Sequence, residues 1–153
     1  MGRNNTLMKK ILLASALALS CVGFGVAQAQ APTGDSVAIR KAMMRMQGGV
    51  LAGLNATAQS KADPKGFANA AGALSASAAQ LVGMFPPGST ANSRALPVIW
   101  SDAAGFAKAA TEFGAAAELA RVAAAASDAT AFAAAVKVIG DNCNSCHQTF
   151  RAR

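Results

Sequence analysis

Near the end of the chain, Cys143-Asn144-Ser145-Cys146-His147 brings two thiols and an imidazole together. Residues three apart on a helix share one face, so both sulfurs can reach the two vinyl groups along one side of a porphyrin. His147 follows directly, and its imidazole can rise to an iron beneath the ring. This C-x-x-C-H spacing is an attachment sequence for c-type haem. The expectation is one covalently attached haem c per chain, held by Cys143 and Cys146, with His147 as an axial iron ligand. Other chemistries fit less well. A zinc site needs four ligands, and only the two cysteines and this histidine lie close in sequence. A thioredoxin-like redox pair belongs on a strand-to-helix turn. Two cysteines so placed on a helix also make a poor structural disulfide.

The elements that must carry this motif read as helices. A first segment starts near Asp35 or Ser36 and spaces Ile39, Met43, Met46 and Val50 by alternating fours and threes. A second opens at Asp63-Pro64, a cap followed by a residue suited to the first helical position, and carries Phe67, Ala71, Leu74, Ala78, Leu81 and Phe85. Pro86-Pro87-Gly88 ends it and begins a polar loop through Asn92 and Arg94. A third follows Pro97 with Ile99, Ala103, Phe106, Ala110, Phe113, Ala117 and Ala120. The fourth, capped by Ser127 or Asp128, carries Phe132, Val136, Ile139, Cys143, Cys146 and Phe150. Four-three spacing is the seam of nearly antiparallel helices with a left-handed supercoil. The expected fold is all-α, an antiparallel left-handed four-helix bundle enclosing one haem. Both cysteines fall on the apolar stripe, which aims the haem into the bundle.

Composition agrees. Hydrophobic residues make up 53% of the chain, yet it has seven Phe, one Trp and no Tyr, and alanine supplies much of the remainder. Alanine favours helix and close packing but fills little volume, so a large apolar ligand would supply burial that the side chains lack.

The first residues read as a targeting segment. Arg3, Lys9 and Lys10 form a basic start, Ile11 to Gly25 is uncharged, and Ala27-Gln28-Ala29 has the small-residue pattern of a cleavage site. We expect residues 1–29 to be a cleaved signal peptide, residues 30–153 the mature bundle, and the destination the periplasm. The run is too short and weakly flanked for a transmembrane helix. Ala18-Leu19-Ser20 fits poorly before a lipidated Cys21. Without the leader, 11 basic residues face 7 acids, a formal charge of +4. Those charges are scattered along the sequence, which argues against a nucleic-acid-binding stripe.

A haem motif at the C-terminal end of a four-helix bundle resembles the class II cytochromes c, that is, cytochrome c′ and its low-spin, methionine-ligated relatives. The resemblance extends to Cys143–Arg151, which follows C-x-x-C-H-x-x-[FY]-R, and to Pro97–Asp102 with Phe106, similar to the opening of the family's third helix. It runs from about Ser36 to Arg151. It implies that Arg40 lies beside a haem propionate and that Met44, four residues later, faces the distal side of the iron. There Met44 is either the second axial ligand, as in the low-spin relatives, or a bulky lid, as in some cytochromes c′. Gly48, another turn on, would leave room for the porphyrin edge. Arg151 would lie over the proximal side, or simply be a cation at a helix C-terminus. Trp100 and Phe106 read as haem wall or core, with Phe106 placed in the core. The functional expectation is a one-electron carrier that works with redox partner proteins. The alternative is a five-coordinate protein that binds nitric oxide or carbon monoxide. A haem enzyme would need a distal acid–base group, and His147 is the chain's one histidine. Class II members often dimerise through the first helix, where Gly49, Gly53 and Ala56 are small enough for close contact with a second copy.

Overall fold

Four long helices and one short one form the fold of residues 35–153, the part of the chain described by the computed structural model. They are α1 (Ser36–Ser60), α2 (Ala68–Leu81), α3 (Val98–Ser101), α4 (Ala103–Ala125) and α5 (Ala129–Phe150). The leader, its cut after Ala29 and Cys21 lie outside the described residues.

Aspartates start the long helices. Asp35 accepts the N–H groups of Val37 and Ala38, Asp102 that of Gly105, and Asp128 that of Ala131. Asp63 caps a 3-10 turn, Pro64–Phe67, that leads into α2. Each carboxylate satisfies donors that have no partner within the first helical turn. The segment after Pro97 departs from expectation: it is two helices, broken at Asp102 (φ −121°, ψ 60°), because that residue leaves helical geometry to cap α4. Gly105 goes with this cap, since a Cβ there would stand 2.2 Å from Asp102 Oδ2.

α4 packs along both α2 and α5, and α1 closes the bundle against α5 and α2. Small residues set these distances. Ala71, Ala117, Ala120 and Ala124 are fully buried, and a Cβ on Gly114 would come within 3.0 Å of the Ala78 methyl. Leu54, Leu74, Phe113, Phe132, Val136 and Ile139 fill the larger gaps of one core cluster. A second cluster, Leu81, Ile99, Phe106, Ala110 and Phe150, lies toward the end of the molecule where α2 finishes and α5 ends. The stripes expected on α2 and α5 are the buried ones. Of the stripe expected on the third segment, only Ala103 is exposed.

On α1 the expected stripe lies at the edge of the core: Met43 and Val50 are half-buried, with Val50 packed against the main cluster. Ile39 and Met46 are 40% and 42% exposed, and the buried residues are Arg40, Gln47, Leu54 and Thr57. The inward seam is shifted by one residue because two of its positions are polar. Gln47 Nε2 donates to Ser77 Oγ at 2.8 Å, and Ser77 Oγ donates to the Leu74 carbonyl at 2.7 Å, so the pair is satisfied inside the bundle.

Among the described residues there is no strand, only one antiparallel bridge between Ala95 and Arg151. It ties the long connection after α2 to the C-terminal tail. Leu96 N–H donates to the Phe150 carbonyl at 3.0 Å and Ala152 N–H to the Arg94 carbonyl at 2.8 Å. No helix among the described residues is long and apolar enough to cross a membrane.

Candidate functional site

The start of α1, the end of α2, the start of α4 and the end of α5 surround a cavity of about 490 Å³. Its wall is apolar, formed by Leu81, Phe85, Ile99, Phe106 and Phe150. Phe106 stands edge-on to Phe85 and to Phe150, with ring centroids 4.9 and 5.2 Å apart. It is therefore both core and cavity wall. Trp100 does not line the cavity; its Nε1 donates to the Phe85 backbone carbonyl at 2.9 Å.

Cys146 and His147 face this cavity from α5. A small recess in the bundle, lined by Met44, Gln47, Phe113, Asn142 and Cys143 among others, also touches Cys146 and His147. Both thiols are half-buried, and burial raises their pKa values. The His147 pKa is lowered, first by burial and then by the nearby charges of Arg151 and Arg94. A neutral imidazole is the form that ligates a metal. Two thiols on one helix face, an adjacent imidazole and a broad apolar chamber suit a flat macrocycle better than a bare ion. Among the described residues, no group of three His, Cys, Asp or Glu side chains converges to hold one.

Met44 lines the same cavity from α1, across from the helix that carries His147. Gly48 does not: it is exposed, with nothing within 4 Å of the place a Cβ would take, and Gln47 occupies the inward position instead. Arg40, one turn before Met44, is only 3% exposed and borders the cavity. Its Nη1 donates to Ser89 Oγ at 2.7 Å and to the Met84 carbonyl at 3.5 Å, while Nη2 donates to the Ser89 carbonyl. The guanidinium lies 4.7 Å from the Phe85 ring centroid. Burial lowers its pKa, partly offset by Asp35, but a guanidinium stays charged. These contacts do not exhaust its five donors, so a cavity ligand can still be met.

Arg151 lines the cavity too, although α5 ends at Phe150 and Arg151 is extended backbone (φ −131°, ψ 132°) within the bridge to Ala95. Lys41, Arg45 and Arg94 complete the basic side of the lining. The sequence reading missed these three. Lys41 and Arg45 carry a weak signal, being four apart on the helix that bears Arg40 and Met44. Arg94 comes from the long connection, where no periodicity applies.

A family model described as Cytochrome C′ matches residues 35–151. The chain is 33% identical over 116 residues to cytochrome c-556 of Agrobacterium tumefaciens (strain II Chrys), covering 74% of this chain and 94% of that one. Its fold is similar to the crystal structure of cytochrome c′ from Rubrivivax gelatinosus, with a TM-score of 0.70 and 32% identity over 78% of this chain and 96% of that one. It is also similar to a nitric oxide complex of a cytochrome c′ variant from Alcaligenes xylosoxidans, with a TM-score of 0.71 and 26% identity over 78% and 94%.

Proposed function

The chain belongs to the cytochrome c′ family and carries a covalently attached haem c, and from that premise we propose that it is a periplasmic one-electron carrier. Cys143 and Cys146 would attach the haem through thioethers, and His147 and Met44 would ligate its iron. The observation that carries this reading is the pairing of Met44 and His147, which line one cavity from α1 and α5. The haem supplies a one-electron ferric–ferrous couple when bound. The protein's part is to ligate, to exclude water and to set the field. A thioether is a soft, neutral donor that favours ferrous iron, and a saturated iron needs no substrate. The phenylalanine wall keeps water off the ring faces. Arg40 would hold a propionate, and the positive charges of Arg40, Arg94 and Arg151 would favour the more electron-rich ferrous state. The periplasm rests on the basic start, the uncharged run and Ala27-Gln28-Ala29. The absence of a second histidine for acid–base work supports a carrier rather than an enzyme.

The ferric absorption spectrum tests the ligation. A low-spin spectrum with a weak sulfur-to-iron band in the far red is expected, and Met44→Ala should turn it high-spin and open it to carbon monoxide. A high-spin spectrum of the unmutated protein at neutral pH would instead support the second reading, a five-coordinate gas binder in which Met44 is a lid. That reading is favoured by the nitric oxide complex of the Alcaligenes xylosoxidans relative.

We also propose a homodimer through the exposed side of α1. Ile39, Met46, Gly49 and Ala56 are exposed and present a small, apolar surface to a second copy. Gly53 serves a different contact, because a Cβ there would meet the Phe67 ring at 3.4 Å.

A further inference from the structure

Charges that are scattered along the sequence are sorted by the fold. All seven acidic residues lie among the described residues, and each has a local task. Asp35, Asp63, Asp102 and Asp128 cap helix starts, while Glu112, Glu118 and Asp141 pair with Lys108, Arg121 and Lys137. The cations left without a carboxylate partner among the described residues are Arg40, Lys41, Arg45, Lys61, Lys65, Arg94, Arg151 and Arg153. Arg40, Lys41, Arg45, Arg94 and Arg151 all line the cavity described above, and no acidic side chain does. With five cations and no acid in the lining, even the two carboxylates of a bound haem would leave a positive excess.

Part of this collar is held in place. Lys41 Nζ donates to the Asn92 carbonyl, and Arg94 Nε donates to the Ala152 carbonyl at 3.1 Å. Arg45 is exposed. The collar adjoins the proposed dimer surface. At about 100° per residue, Lys41 and Arg45 point away from Ile39 and Met46, whereas Gly49, one turn after Arg45, lies on its side of α1.

Resting on the reading of the protein as an electron carrier, we propose that this collar is the docking face for a redox partner whose own surface is acidic. Four of these cations, Lys41, Arg45, Arg94 and Arg151, are exposed around one concave cavity, while Arg40 is buried within it, and a concave cluster suits a rounded patch of carboxylates more than a phosphodiester backbone. Partner and haem edge are thereby brought together at one place. Fields of this kind raise encounter rates and lose strength as salt shortens the screening length.

The test uses the ferrous holoprotein, oxidised in stopped flow by anionic hexacyanoferrate(III) or by cationic tris(1,10-phenanthroline)cobalt(III). The anion's rate should fall on the order of ten-fold between ~10 and ~150 mM ionic strength, as the Debye length shrinks from ~30 to ~8 Å. The cation's rate should not fall. Arg45→Glu should slow the anion roughly three-fold at low salt, with Arg45→Gln in between. Lys65→Glu makes the same change in net charge outside the cavity lining and should have little effect. Poly-L-glutamate should compete with hexacyanoferrate in wild type and Lys65→Glu, and much less in Arg45→Glu. Fast oxidation by both reagents without charge preference, or equal effects of Arg45→Glu and Lys65→Glu, would overturn the docking face and leave the carrier reading intact. Slow oxidation by both would count against the carrier reading itself. Duplex DNA competing better than poly-L-glutamate at ~150 mM salt would reassign the face to nucleic acid.

Discussion

Arg40 shows how much one side chain can do at the inner face of a helix. Its guanidinium reaches the 84–89 segment through Met84 and Ser89, lies against Phe85 and borders the cavity. Hydrogen bonds made by a charged, buried donor carry about 1.5–3 kcal/mol, so Arg40→Leu should lower the unfolding free energy of the holoprotein by about 2 kcal/mol in denaturant titrations. It should also shift the reduction potential downward, since the lost positive charge favoured the ferrous state. Arg40→Lys separates the two roles: it keeps the charge but not the planar fork. Its potential should stay near wild type while its stability does not recover. An unchanged potential in Arg40→Leu would show that this charge lies outside the field of the iron.

Among the elements, α1 is the one whose burial pattern is hardest to read, because polar residues occupy its seam. Leu54 is fully buried in the main cluster, whereas Met46 looks outward. Leu54→Ala should therefore cost about 2–5 kcal/mol in thermal or denaturant unfolding of the holoprotein. Met46→Lys should leave the monomer's unfolding nearly unchanged and abolish the α1 dimer in sedimentation velocity. A dimer that survives Met46→Lys would move the contact to another surface. The break at Asp102 belongs to this scale as well. Its carboxylate starts α4 and so fixes where Phe106 enters the cavity wall.

For the whole molecule, the alanine-rich interfaces and the large chamber at one end go together. Small side chains let α2, α4 and α5 approach closely around Ala71, Ala117 and Ala124, but they do not fill the space among Leu81, Phe85, Ile99, Phe106 and Phe150. At ~24 cal/mol per Å³, a dry void of about 490 Å³ would cost on the order of 10 kcal/mol, comparable to the whole stability of a domain. Water entering the mouth reduces that cost but leaves an apolar wall wet. The apo-chain should therefore be molten or unfolded by circular dichroism, and a cooperative apoprotein as stable as the holoprotein would contradict this account. Denaturing electrophoresis with a haem stain should keep colour on the wild-type polypeptide, and Cys143→Ala or Cys146→Ala should weaken its retention.

Local rules in the sequence determined a large part of this protein. Cap chemistry at Asp35, Asp63 and Asp128 and four-three spacing on α2, α4 and α5 specified the helices and their inward faces, because both depend only on neighbours along one helix. The Cys143–His147 spacing pointed to haem for the same reason. The seam of α1 was not legible, since Arg40 and Gln47 are buried only because Ser89 and Ser77, 49 and 30 residues away, satisfy them. Nor did the sequence foretell the collar. Lys41 and Arg45 on α1, Arg94 on the long connection and Arg151 after α5 are distant in the chain, and only the tertiary structure brings them to one mouth. Charge acts through space, so its pattern along the chain says little until the helices are packed.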